Sequence, residues 1–193
     1  MLLAAIGIAF GFQLAMALRG GVIDALFFLT RPTAAQLIAD GAITPDGEPW
    51  RLFTAPFLHA GIFHLLLNAW ALLQLGTLFE RLSGSAALLL VYGMSALGAS
   101  MASLVFLSAT CSVGASGAIL GVAGALIATQ RGDQVWSAAL RAQLALYCGV
   151  TIVLGFFVPE IDKAAHAGGL ITGLLIGAVL RFIPKPRQSV SRG

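Results

Sequence analysis

Residues 85–107 pass without one charged side chain, and five other stretches are nearly as apolar. Long uncharged runs separated by short polar breaks constrain this chain more than any other feature. About 20 mostly apolar residues match the hydrocarbon thickness of a bilayer, fewer where a helix is only partly embedded. Inside lipid each backbone N–H and C=O needs a partner within the protein, which a helix supplies from its own segment. Six helices are expected, at about 2–18, 60–79, 85–107, 115–130, 142–158 and 164–183. Only 10% of the 193 residues are charged, whereas soluble domains carry about 25%. So few charges cannot cover a water-facing surface, and the surplus apolar surface must meet lipid. The expected fold is an all-α membrane protein, a six-transmembrane helical bundle. Residues 1–193 are read as one domain, because no long polar linker divides them.

The remaining composition excludes several classes. A net charge of +3 is too small and too scattered for a nucleic-acid binder. The basic tail of Arg181, Lys185, Arg187 and Arg192 reads as a topology signal. Cys111 and Cys148 make no disulfide framework and have no metal-ligand spacing around them. No cofactor is implied. Residues 1–18 lack the basic start of a secretory signal and are read as a first membrane span.

An even number of spans leaves both termini on one side. If that side is the cytoplasm, Arg81, Arg131, Arg141, Arg181, Lys185, Arg187 and Arg192 are internal. Arg19, Arg31, Arg51 and Lys163 are external. The imbalance follows the positive-inside bias. The external stretch 19–50 is long for a connection, and its apolar patch at 22–29 argues for an ordered loop at the membrane interface.

Ionisable groups inside a span are costly and mark functional sites by default. Here His59, His64 and Asn68 fall at the start of the second span, Ser116 opens the fourth, and His166 opens the sixth. Those three spans run in the same direction, so the polar groups share one layer near the external face. His64 and Asn68, four residues apart, project from one helical face. Gly117, Gly121 and Gly124 form one stripe, and Gly169, Gly173 and Gly177 another. Small residues at such spacing let membrane helices approach closely. Were the two stripes to face each other, Ser116 and His166 would meet at the top of the contact.

Taken singly, each residue has a structural explanation. Ser116 could cap a helix, Asn68 could tie helices together, and the histidines could bond carbonyls or sit at the interface. Together they allow acyl transfer. A serine hydroxyl needs a base to become a nucleophile, and imidazole titrates near neutrality. Glu160 and Asp162 lie in the preceding loop, so a Ser116–His166 dyad is favoured over a triad. Asn68, His64 and the backbone N–H groups near Ser116 could stabilise an oxyanion. Gly114 and Gly117 flank the serine and permit close approach of a substrate backbone.

At these residues the sequence resembles the rhomboid intramembrane proteases. Trp50-Arg51, His59 and His64-xxx-Asn68 resemble the family's WR and HxxxN region. Gly76-xxx-Glu80-xxx-Gly84 resembles the end of the family's second helix. Gly114-Ala-Ser116-Gly117 resembles its GxSG motif, and Ala165-His166-xx-Gly169-xxx-Gly173 its last helix. The resemblance implies a serine endopeptidase with a Ser116/His166 dyad and oxyanion residues His64 and Asn68. It implies transmembrane protein substrates, embedded with the enzyme in membrane lipid and cut near the external face. A helical peptide bond is shielded, so substrates should carry helix-weakening residues. Trp50 and Arg51 would brace the first loop, and Glu80 would be structural. The aromatic residue that family members often carry one turn after the serine is Leu120 here. A compact chain of this form fits a bacterial plasma membrane. A non-catalytic relative that escorts membrane helices is the alternative, although such proteins usually lose the serine or histidine. A small channel or transporter would also carry internal polar groups, but no repeat relates the two halves and the polar layer stops at one face.

Overall fold

The structure is a computed structural model that describes residues 1–106, 110–129, 138–158 and 161–182, with backbone alone at 138, 139 and 141. Arg131, Lys185, Arg187 and Arg192, on which part of the charge argument rests, and Glu160, weighed as a third member of the site, lie outside the described residues. Nine α-helices occur among the described residues: α1 (Leu2–Leu18), α2 (Val22–Thr30), α3 (Ala34–Asp40), α4 (Arg51–Thr54), α5 (Ile62–Ser83), α6 (Ser85–Phe106), α7 (Ser116–Ala128), α8 (Ala138–Phe157) and α9 (Lys163–Leu180).

Each apolar run read from the sequence is helical over most of its described residues. By length and hydropathy α5, α6 and α9 can each cross a bilayer. Leu2–Leu18, Ser116–Ala128 and Ala142–Phe157 are shorter apolar helices, so among the described residues three helices, or four if the bent pair α2 and α3 is one span, meet the length of a full crossing rather than the six expected. Large apolar side chains such as Phe63, Leu67 and Trp70 on α5 and Phe156 and Phe157 on α8 are exposed. Lipid is the medium in which such a surface costs nothing.

The short helix α7 sits at the centre. Residues 117–126 are buried on all sides, as expected of a helix apolar around its whole circumference. Its 13 residues span about 20 Å at 1.5 Å per residue, against about 30 Å of hydrocarbon. A helix of that length is too short to cross the hydrocarbon, and Ser116 stands at its N-terminus.

The two glycine stripes do face each other. A Cβ built on Gly169 would strike the Gly117 carbonyl, and one on Gly173 the Gly121 carbonyl. The neighbours are backbone atoms, so α7 and α9 touch main chain to main chain. On its other side α7 meets α6, whose buried face carries Ser95, Ala96, Ala99, Ser100 and Ser103. A Cβ on Gly117 would lie 2.5 Å from Ala99 Cβ.

The segment between α1 and α5 is ordered by helices rather than by strands. Thr33 and Gln36 form a reciprocal capping box at the start of α3, a pairing that closes orphan N–H groups. α2 and α3 are bent 95° to each other. Arg51 holds this segment together. Its Nη1 donates to the carbonyls of Ile38 (2.7 Å) and Ala42 (3.0 Å), and its Nε to Glu48 at 2.5 Å. The guanidinium also lies 4.7 Å from the Trp50 ring centroid. An isolated bridge from Ile43 to Ser112 ties the segment to the loop before α7.

Candidate active site

Ser116 is the first residue of α7, and Gly114 turns the chain into it. Gly114 has φ +124°, a conformation that side chains with a Cβ rarely adopt. Its N–H donates to the Ala55 carbonyl at 2.9 Å, fixing the turn to the 3₁₀ turn Ala55–Phe57. Ser116 is half-buried, while His166 is buried at 5% exposure. Ser116 Oγ lies 2.7 Å from His166 Nε2, across 50 residues of sequence. For Nε2 to accept the serine proton, the neutral ring carries its own hydrogen on Nδ1. Nδ1 is buried with no hydrogen-bond partner among the described residues.

No carboxylate among the described residues bonds His166. Asp162 is nevertheless deeper than a loose loop residue. Its Oδ1 accepts from the N–H groups of Ala164 (2.9 Å) and Ala165 (3.0 Å), which makes it the N-cap of α9. Its Oδ2 accepts from Ser103 of α6 at 2.5 Å. The cap sets where α9 begins, one turn before His166. Sequence reading placed Asp162 in the loop and missed this role; an Asp just before an apolar run is the N-cap signal that could have shown it.

His64 comes to the same centre. Its Nδ1 accepts from the Ala60 N–H at 3.3 Å, so its hydrogen belongs on Nε2. Cε1 and Nε2 lie against Gly114, at 2.7 and 2.9 Å from where a Cβ would be, and that Cβ would lie 3.8 Å from Ser116 Oγ. Asn68 is buried on the same face of α5, one turn further in. Its Nδ2 donates to the His64 carbonyl at 3.0 Å, which leaves one amide hydrogen for another acceptor. Gly117 serves contact with α6 and α9, since a Cβ there would meet Ala99 and, at 3.0 Å, the Ala165 carbonyl. His59 is fully buried within the protein.

Known proteins are similar to this chain in sequence. A Rhomboid domain matches residues 46–182. The chain is 37% identical over 145 residues to RHOMBOID-like protein 6, mitochondrial, of Arabidopsis thaliana, covering 74% of this chain and 47% of that one. It is 39% identical over 149 residues to the Rhomboid protease GluP of Bacillus subtilis (strain 168), covering 75% and 29%. A relative named Inactive RHOMBOID-like protein 8, from Arabidopsis thaliana, is 32% identical over 150 residues, covering 76% and 42%. The matched part is less than half the length of each of these relatives. With the helical bundle described above, the domain match over 46–182 establishes that the chain is a multi-pass membrane protein and belongs to the rhomboid family.

Proposed function

We propose that the protein is an intramembrane serine endopeptidase in which Ser116 is the nucleophile and His166 the general base. The observation that carries this reading is the 2.7 Å contact between Ser116 Oγ and His166 Nε2 at the N-terminus of the short buried helix α7. A 2.7 Å contact is hydrogen-bond distance for proton transfer. Ser116 Oγ attacks the scissile carbonyl carbon while its proton passes to His166 Nε2. The carbonyl oxygen becomes an oxyanion. His64 Nε2–H and the second amide hydrogen of Asn68 are the side-chain donors on that side, and the N-terminus of α7 adds its backbone N–H groups and dipole. Collapse expels the amine, which takes the proton from His166 and leaves an acyl-Ser116. Water then attacks the acyl carbon with His166 again as base, and the second product departs as a carboxylate.

The substrates in this reading are membrane-anchored helices entering from lipid and cut near the external face of a cell membrane, with both termini of the enzyme cytoplasmic. Helix-weakening residues near the cut would lower the cost of presenting an extended peptide bond. The test is cleavage of a single-span reporter in proteoliposomes. The parent should cut it, and Ser116→Ala and His166→Ala should not. Cleavage by correctly inserted Ser116→Ala would overturn the assignment. The relative named inactive favours a second reading, a helix-binding protein without turnover. That reading gains if the folded parent binds the reporter and leaves it intact.

A further inference from the structure

α1 carries one strongly polar side chain, Gln13, and it is wholly buried. A buried amide in a membrane helix is kept only where its bonds are made. Both ends of this one are used. Nε2 donates to Asp40 Oδ2 at 3.1 Å, and Oε1 accepts from the backbone N–H of His59 at 2.9 Å. Asp40 closes α3, and His59 precedes α5, so one side chain joins three elements far apart in sequence. Gln13 and Asp40 also lie outside residues 46–182, which match the Rhomboid domain.

The far end of this bridge reaches the site. The His59 ring is fully buried, with Nδ1 3.2 Å from the Phe57 carbonyl. It meets the His64 ring edge-on, with centroids 5.2 Å apart and planes at 69°. His64 is held from its other nitrogen side by Ala60 N–H, the residue after His59. The segment pinned by Gln13 therefore touches His64 twice, through the His59 ring and through the Ala60 amide.

We infer that Gln13 is a positioning residue for His64, holding the His59–Ala60 backbone so that His64 Nε2 faces Gly114 and Ser116. The inference rests on the peptidase reading above, in which His64 serves the oxyanion. Loss of Gln13 leaves the His59 N–H and the Asp40 carboxyl without their partner, and the segment relaxes. Misplacement of about 1 Å can cost roughly a hundred-fold in rate.

Gln13→Met keeps the volume and removes both bonds, and its effect is read in a double-mutant cycle with His64→Ala. Turnover of a membrane-anchored reporter should fall about ten-fold or more in Gln13→Met, within the penalty for misplacement. In the His64→Ala background the same change should cost less than about two-fold, because residues acting through one another are non-additive. An equal fall in both backgrounds, or none in the parent, would overturn the inference. Gln13→Leu also removes both bonds with little change of volume, and carries the same comparison should Gln13→Met fail to fold. A second readout needs no turnover. In the Ser116→Ala protein, Gln13→Met should shift the proton–nitrogen correlations of the His64 ring. Unmoved correlations would refute the link even in an inactive protein, whereas moved correlations with an inactive parent would refute only the peptidase reading.

Discussion

Replacing Gly169 with alanine should separate the two helices that carry Ser116 and His166. The added Cβ would strike the Gly117 carbonyl oxygen and would lie 2.6 Å from its carbon and 3.0 Å from its Cα. These are backbone atoms and cannot rotate away. To bring that carbonyl oxygen, the nearest atom, out to the 3.4 Å at which ordinary contact begins, α9 must withdraw by about 1.4 Å. Gly117 adjoins Ser116, and Gly169 lies one turn below His166. Passed on in full, the withdrawal stretches the 2.7 Å contact to about 4.1 Å, past normal hydrogen-bond length. Overpacking costs about 1–3 kcal/mol. Alanine's better helix propensity returns up to about 1 kcal/mol, but it cannot restore the distance. Rate should therefore suffer more than stability, by about a hundred-fold. The assay pairs reporter cleavage with thermal unfolding in the same detergent. Gly93→Ala is the control, since no atom lies within 4 Å of its added Cβ, and it should keep the parent rate. A parent-like rate in Gly169→Ala, or the same loss in Gly93→Ala, would refute the reasoning.

Three other outcomes follow from the same geometry. Gly114→Ala should abolish cleavage while the bundle still folds, because φ +124° and the His64 ring at 2.7 Å both oppose a Cβ; full activity would show that the turn is not under this constraint. Asp162→Ala should lower stability by about 1 kcal/mol, the usual cost of a lost N-cap, and slow cleavage, whereas Asp162→Asn should keep most of both; identical losses would remove capping as the cause. Arg51 holds the Glu48 carboxyl below its ordinary range by hydrogen bonding. A depressed carboxylate stabilises above its unfolded pKa and loses that contribution as pH falls through the folded value. Protease nicking between α3 and α4 should thus rise on acidification in the parent and lose its pH dependence in Glu48→Gln.

Sequence alone shows much of this site, for a physical reason. In a chain this apolar, a serine or histidine at the mouth of a span stands out, and Ser116, His64 and His166 could be read one by one. The glycine stripes added how they meet, because a residue without a side chain every turn is legible as a close-packing face. The hidden part consists of single long-range bonds. Gln13 meets His59 across 46 residues and Ser103 meets Asp162 across 59, and no periodicity foretells either pairing. A lone glutamine in the first apolar run was the available signal for one, and an aspartate at a helix start for the other. Asn68 shows the opposite limit. Its i, i+4 spacing from His64 put it on the right face, but one of its amide hydrogens goes to the His64 carbonyl. The loop helices α2 to α4 were foreshadowed only by the apolar patch at 22–29. The Thr33–Gln36 capping box was also readable, whereas the hold of Arg51 on two carbonyls required the fold.

Labelling of the purified protein by a fluorophosphonate probe tests the central claim, that Ser116 is activated by His166. The parent should be labelled at Ser116, and both Ser116→Ala and His166→Ala should remain unlabelled while folded. A folded parent that takes no label, or label retained in Ser116→Ala, would contradict it.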